Sequence, residues 1–257
     1  MSRSIDIALL PAEAAEMPAD CYVVVDVLRA TTTLATMFER GIASVTVAQQ
    51  EELARQLAAE RGALLCGEVG GLAPDGFDFG NSPVEMRRAE LTGKHAILFT
   101  TNGTRAFCEV AGKGIVLAGA LANVSAAAEA ATRHETVTIV CAGNAGGRRF
   151  ALEDFAAAAQ VVQAMLSLSP GAEVGDAAGM AAEVWGYENW IAPGLPQQTD
   201  RSGRALRGSS HGRRTADMGF GADIQFASQR DTSGSVPAIV EFGEGWARLE
   251  ERRQVSG

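Results

Sequence analysis

The sequence predicts an α/β protein in which helices cover both faces of a mainly parallel central sheet, giving three α/β/α layers. Short runs rich in β-branched residues alternate with longer helical patterns, and several of these runs are apolar throughout. Alternation of this kind is typical of successive βα units. Continuously apolar strands are typical of a sheet that is buried on both faces.

Six strands are predicted in the first two thirds of the chain. Residues 22–25 and 96–99 are continuously apolar, which indicates that neither face of these two strands meets water. The six predicted strands span residues 21–27, 44–48, 63–68, 95–101, 114–119 and 136–142.

Helices are predicted between and after these strands from apolar spacing and from cap residues. Apolar side chains recur on one face of residues 31–40 and 51–61, and a glycine follows each segment as a C-terminal cap. A serine followed by a proline starts another helix at residue 82. An alanine-rich helix is predicted over residues 151–167.

The composition is that of a folded globular protein with a net negative charge. The 257 residues, 47% hydrophobic and 21% charged, are enough to bury a large core. The formal net charge of −9 argues against a broad surface for nucleic acid or acidic membranes. We therefore expect any anion-binding site to be local.

We expect one α/β domain over residues 1–257, or two subdomains with the second starting at about residue 170. The four cysteines show no paired spacing, which argues against a zinc site or a disulfide framework. No window approaches the roughly 18 apolar residues that a membrane helix needs. A cytoplasmic protein is expected. The sequence is compatible with a homo-oligomer but leaves the oligomeric state open.

Two irregular stretches interrupt the regular pattern. Residues 69–80 are glycine-rich and follow the third strand, and a loop of that length inside a compact domain is more often functional than idle. Residues 193–212 are rich in glycine, serine and arginine, and we interpret them as either a mobile lid or a surface connection.

Polar residues follow four of the predicted strands. Asp26 and Arg29 follow the first, Glu68 ends the third, residues 101–104 follow the fourth, and Asn144 follows the sixth. In open parallel sheets the ligand crevice lies outside the carboxyl ends of the strands. We therefore expect these strand ends to converge on one crevice.

Asp26 and Arg29 are candidate catalytic residues, together with Glu68. A carboxylate after an apolar strand is costly to bury without a partner or a metal. Arg29 is expected to be exposed in the crevice, where its guanidinium can pair bidentately with an anionic group of the substrate. The alternative is that Asp26 pairs with Arg29 or caps the following helix.

A candidate phosphate-binding turn lies between the fourth strand and a helix. Free backbone N–H groups and short hydroxyls at such a turn can bind phosphate, although Asn-Gly pairs also occur in tight turns for backbone reasons alone. The turn is formed by Thr101, Asn102, Gly103 and Thr104.

Carboxylates near the strand ends are candidate ligands for Mg²⁺, which uses one or two carboxylates together with waters and substrate phosphate. The predicted metal ligands are Asp26, Glu68 and Asp154. Glu153 is a further candidate as the neighbour of Asp154 at the start of a predicted helix; the alternative for this pair is that acids in a first turn interact favourably with the helix dipole.

Several motifs, in their order and spacing, resemble the 2-phosphosulfolactate phosphatase family. The resemblance continues over nearly the whole chain after residue 20. The motifs are VVDVLRATTT at 24–33, GE at 67–68, GFDFGNSP at 76–83 and TTNGT at 100–104, followed by residues 119–123, 141–143, 152–154, 221–224 and 236–237.

This resemblance implies an α/β fold particular to the family and Mg²⁺-dependent hydrolysis of 2-phospho-3-sulfolactate to 3-sulfolactate and phosphate. We add Asn81, from the GFDFGNSP motif, and Asn144 to the predicted phosphate-binding residues. Asp26 is then a metal ligand, a nucleophile or the base for water, and the sequence does not separate these roles. The alternative function is a non-catalytic binding protein for a small phosphorylated anion.

Overall fold

The computed structural model describes residues 3–186 and 201–252. Within these residues the chain forms a ten-stranded sheet. The strands are β1 (Ser4–Ala8), β2 (Cys21–Val25), β3 (Ser44–Ala48), β4 (Leu64–Gly67), β5 (His95–Phe99), β6 (Ile115–Gly119), β7 (Thr136–Cys141), β8 (Glu173–Val174), β9 (Pro237–Gly243) and β10 (Trp246–Glu251).

Eleven α-helices occur in the described residues. They are α1 (Pro11–Glu16), α2 (Ala30–Glu39), α3 (Glu51–Arg61), α4 (Pro83–Met86), α5 (Gly103–Val110), α6 (Val124–Ala131), α7 (Leu152–Leu168), α8 (Asp176–Gly186), α9 (Arg201–Gly208), α10 (Ser210–Asp217) and α11 (Gly221–Ala227). Of the irregular stretch predicted over 193–212, residues 193–200 lie outside the described residues, and helices form most of the remainder. Among the described residues, no helix is both long and apolar enough to cross a membrane.

The sheet contains two parallel groups of strands separated by an antiparallel hairpin. The order is β4-β5-β3-β10-β9-β6-β2-β7-β1-β8. Pairing is parallel within β4-β5-β3 and within β6-β2-β7-β1-β8, whereas β9 and β10 pair antiparallel with each other and with their neighbours. The predicted three-layer fold with a mainly parallel sheet is confirmed, and so are the six predicted strands.

Strand β2 shows why the central strands are continuously apolar. Val23 and Val25 pack into the core on the side of α6 and α7, and Tyr22 and Val24 pack into the core on the side of α2 and α5. Successive side chains of a strand point to opposite faces, so both faces of β2 are covered. Burying each such side chain contributes about 1.5–3 kcal/mol.

Helices α5 and α7 bring distant strand ends together. Helix α5 follows β5 in one parallel group, yet it packs against β2 in the other group as well as against β3. Helix α7 follows β7 and also contacts β2. The residues after β2, β5 and β7 therefore lie near one another.

Candidate active site

Asp26 follows β2 directly, and its carboxylate lies in the protein interior, with only 4% of the residue exposed. Oδ1 accepts a long hydrogen bond of 3.4 Å from the N–H of Ala30, and no donor in the described residues is bonded to Oδ2. Burial raises the pKa of Asp26 to about 6. The electrostatic interaction with His211 lowers this pKa, whereas the negative charges of Glu68 and Glu153 raise it.

The turn after β5 lies against this carboxylate. A Cβ atom at Gly103 would stand 2.6 Å from Oδ2 of Asp26, so a larger residue would force a displacement. The N–H of Thr101 donates to Glu68 and the N–H of Thr104 donates to Thr100 within the turn. In the described part of the chain, the N–H groups of Asn102 and Gly103 have no hydrogen-bond partner, and the Cα of Gly103 lies against Asp26.

The buried carboxylate of Glu68 forms hydrogen bonds to two loops, one after β4 and one after β5. Oε1 accepts the N–H of Thr101 at 2.7 Å, and Oε2 accepts the N–H of Gly71 at 2.6 Å. These bonds hold the glycine-rich loop after β4 against the turn after β5. Glu68 therefore has a positioning role in the structure, while its predicted roles in catalysis and metal binding stay predictions.

Asp154 has a comparable position on the other side of Asp26. Its two oxygens accept the N–H groups of Val27 and Gly143, each at 3.0 Å, and so join the ends of β2 and β7. Burial, followed by the charges of Asp26 and Glu153, raises the pKa of Asp154 well above its usual range, and the two backbone hydrogen bonds oppose this shift. Its predicted role as a metal ligand stays a prediction.

Glu153 is the carboxylate with the least satisfied environment. Oε1 accepts a hydrogen bond of 3.2 Å from the amide of Asn144, but Oε2 is buried and has no partner among the described residues. A buried carboxylate oxygen without a partner is costly. A bound cation would remove that cost, so the environment of Glu153 favours its candidacy as a metal ligand.

These residues fit Mg²⁺ in their chemistry. Oδ2 of Asp26 and Oε2 of Glu153 are hard oxygen donors without a hydrogen-bond partner in the described residues. Two carboxylates completed by waters and substrate phosphate are what Mg²⁺ commonly uses. Within the described ranges, no three His, Cys, Asp or Glu side chains form a preassembled metal site, so water and substrate would have to complete the coordination.

Arg29 corrects one expectation, because it is only 5% exposed. Nη1 donates to Asp223 at 2.9 Å, Nη2 donates to the carbonyl oxygen of Gly71 at 2.7 Å, and the guanidinium stacks on the Phe220 ring at 4.3 Å. The prediction that Arg29 is exposed is wrong, and its carboxylate partner is Asp223 rather than Asp26. The physical reason is that α11, far along the chain, covers this end of the sheet and supplies the buried partner.

Asp223 is a residue that the sequence analysis did not single out. Besides pairing with Arg29, it accepts a hydrogen bond of 2.6 Å from the hydroxyl of Ser82. The Ser82 hydroxyl also accepts the N–H of Glu85, which confirms the predicted helix start at residue 82. The sequence does show that Asp223 lies within the motif at 221–224, in the first turn of a short helix. It does not show which side chains Asp223 contacts.

Comparison with known proteins places the chain in a family. The family model described as 2-phosphosulpholactate phosphatase matches residues 8–241. The chain belongs to the 2-phosphosulfolactate phosphatase family. The resemblance seen in the sequence motifs is therefore confirmed.

Similar proteins in three bacteria carry the name probable 2-phosphosulfolactate phosphatase. The protein of Thermotoga petrophila is 34% identical over 238 residues, which cover 92% of this chain and 95% of the relative. That of Deinococcus radiodurans is 37% identical over 228 residues, 86% of this chain and 88% of the relative. That of Gloeobacter violaceus is 34% identical over 229 residues, 87% of this chain and 90% of the relative.

In this member of the 2-phosphosulfolactate phosphatase family, the predicted asparagines occupy different places. Asn102 accepts the N–H of Gly146 at 2.8 Å, which links the turn after β5 to the loop after β7. Asn144 lies in that loop and donates to Glu153. Asn81 is buried next to Ser82, and its Oδ1 has no partner among the described residues. The structure thus brings Asn102 and Asn144 to the carboxylates and places Asn81 beside the Arg29–Asp223 pair.

Proposed function

We propose that this chain is a Mg²⁺-dependent phosphatase that hydrolyses 2-phospho-3-sulfolactate, or a similarly small anionic phosphoester, to an alcohol and phosphate. The observation that carries the proposal is the pair of neighbouring carboxylates Asp26 and Glu153: Oδ2 of Asp26 lies against Gly103 at the start of α5, and the buried Oε2 of Glu153 has no partner among the described residues. Family membership supports phosphatase chemistry, and the names of the relatives support this substrate.

Phosphoryl transfer depends mainly on positioning and on stabilising negative charge. The N–H groups of Asn102 and Gly103 are fixed by the turn and are available to phosphoryl oxygens before any substrate arrives. Mg²⁺ bound by Asp26 and Glu153 would neutralise charge on the phosphoryl oxygens and orient the attacking oxygen. Glu68 and Asp154 hold the surrounding loops in place through their backbone hydrogen bonds.

Asp26 is suited to a role that needs an ionised carboxylate. With its pKa raised to about 6 by burial, it is largely ionised at neutral pH and is more basic than an ordinary aspartate. Its Oδ2 lies beside the phosphate-binding turn, where it could bind the metal or attack phosphorus directly. Both roles agree with its place between Gly103 and Glu153.

The test is phosphate release from 2-phosphosulfolactate by the purified full chain, with Mg²⁺, after exhaustive chelation, and after Mg²⁺ is restored. We expect turnover that chelation abolishes and Mg²⁺ restores, and Asp26→Asn should be inactive throughout. Full activity after chelation, with metal content verified at zero, would remove the metal from the proposal. Binding of the phosphoester without phosphate release would instead identify a non-catalytic binding protein.

A further inference from the structure

The C-terminal helix α10 reaches the candidate active site by two contacts with the loop that follows Glu68. Arg214 donates from Nη2 to the carbonyl oxygen of Gly70 at 3.3 Å. Met218, just after α10, lies so close to Gly71 that a Cβ there would stand 2.5 Å from its Cε. The N–H of Gly71 binds the carboxylate of Glu68 at 2.6 Å. One face of α10 therefore packs on the loop that positions Glu68.

His211 lies on that same face of α10. Residues three, four and seven apart share one side of a helix, so His211 is aligned with Arg214 and Met218. His211 is partly buried, whereas Arg213, about 200° around the helix, is exposed and donates to the carbonyl oxygen of Gly208. The contacts of α10 therefore place His211 on the face that packs on the loop after Glu68, and Arg213 on the solvent face.

The electrostatics of Asp26 agree with this placement. Burial has the largest effect on the pKa of Asp26, and the charge of His211 has the next largest effect, ahead of that of Glu68. Among the described side chains whose charges act on this pKa, His211 lowers it, whereas Glu68 and Glu153 raise it. Arg29, a second cation that follows β2, is committed to Asp223 and Gly71.

The imidazole of His211 has no hydrogen bond or ion pair with another described residue. A partly buried ring that is close enough to influence the Asp26 carboxylate, and that has no partner among the described residues, is available to a ligand. We propose that His211 contacts the phosphoryl group of the substrate through a ring nitrogen, opposite the N–H groups of Asn102 and Gly103. This inference rests on the proposed function, and it adds a catalytic residue from the C-terminal helices.

The test uses inorganic phosphate as the probe, titrated calorimetrically into the full chain in the presence of Mg²⁺. Because hydrogen bonds to charged groups are worth roughly 1.5–3 kcal/mol, His211→Gln should weaken phosphate binding by about ten-fold to a hundred-fold. The matched control is Arg213→Gln, which removes a full charge from the opposite face of α10 and should change the affinity by less than about two-fold. Thermal melting verifies that both variants fold.

Unchanged phosphate affinity in His211→Gln, or an equal loss in Arg213→Gln, overturns the inference, and so does a wild-type chain that binds no phosphate. If His211→Gln melts early, His211→Asn provides the same comparison in a folded protein. If the wild-type chain fails to hydrolyse 2-phosphosulfolactate while His211→Gln still loses phosphate affinity, the proposed function fails and the phosphate contact stands. If the wild-type chain hydrolyses 2-phosphosulfolactate but His211→Gln binds phosphate as well as the wild type does, the proposed function stands and the phosphate contact of His211 is wrong.

Discussion

Replacing Asp26 with asparagine should stabilise the metal-free protein at neutral pH while it abolishes activity. The carboxylate is 4% exposed, and burial is the main reason that its pKa rises from 3.8 to about 6. At neutral pH the native protein therefore holds a buried charge that the unfolded chain would hold in water. Asparagine has nearly the same shape and carries no charge, so folding of the variant does not require the free energy of burying a charge.

The size and sign of the effect follow from the two pKa values. The difference between 3.8 and about 6 corresponds to about 3 kcal/mol at roughly 1.36 kcal/mol per pKa unit. Between these pH values the native state binds more protons than the unfolded state, so Asp26 lowers wild-type stability as pH rises through this window. Since asparagine does not titrate, the free energy of unfolding of Asp26→Asn should exceed that of the wild type by an amount that grows as the pH rises through the same window. In a chain of this size it amounts to about 6–12 °C in Tm.

The assay is thermal melting of both proteins in EDTA at several pH values from about 4 to about 7. Asp217→Asn removes an exposed aspartate on α10 and serves as the control, with no comparable gain in Tm expected. A variant Asp26→Asn that melts below the wild type at neutral pH would refute the reasoning. A difference in Tm that is the same at both ends of the pH range would refute it as well.

Adding Mg²⁺ to the same samples separates the roles open to Asp26. A ligand that binds only the native state stabilises it by RT ln(1 + L/Kd), where L is the free ligand concentration, and so raises Tm. If Asp26 holds the ion, Mg²⁺ should raise the Tm of the wild type and leave that of Asp26→Asn nearly unchanged. Equal shifts would assign the ion to other carboxylates and leave Asp26 as the nucleophile or the base.

Three other side chains give further expectations. Glu153→Gln should reduce the Mg²⁺-induced rise in Tm, because it removes the charge behind the unpaired Oε2; an undiminished rise would exclude Glu153 as a ligand. Arg29→Lys should lower both Tm and kcat/KM, since breaking a buried pair costs up to about 3–5 kcal/mol; a wild-type melting curve would contradict the role of the Asp223 pair. Gly103→Ala should lower kcat/KM about ten-fold or more by displacing the Asp26 carboxylate; unchanged kinetics would show that the turn yields freely.

Local sequence patterns identified β2 to β7 but neither β1 and β8 nor the order of the sheet. The six predicted strands are apolar runs between turn residues, and such runs can be recognised without knowing their neighbours. Strand β1 was not predicted because Asp6 interrupts a short apolar segment. The hairpin β9–β10 enters the middle of the sheet between β3 and β6, and this pairing depends on residues far apart in the chain.

The candidate site shows the same division between local and distant information. Asp26, Glu68 and the turn at 101–104 could be grouped from the sequence because each follows a strand. The pairing of Arg29 with Asp223 joins positions 194 residues apart, and no local pattern specifies it. Burial of Arg29 was missed for the same reason, because the helices that cover it come from the end of the chain.

The buried carboxylates of the site fall into two kinds, and this division is itself testable. Glu68 and Asp154 use both oxygens to bind backbone N–H groups, whereas Asp26 and Glu153 each keep one oxygen without a donor in the described residues. Carboxylates of the first kind stabilise the loops.

Those of the second kind are costly in the folded chain unless a cation or substrate group meets them. Glu68→Gln would turn an amide nitrogen toward a backbone N–H, which should cost about 1–3 kcal/mol. Asp26→Asn should stabilise the same metal-free protein. Glu68→Gln should therefore lower Tm and Asp26→Asn should raise it. Such opposite shifts would show that Glu68 stabilises the loops of the site, whereas Asp26 destabilises the metal-free protein and is kept for its chemical role. Shifts of the same sign would contradict the division into two kinds.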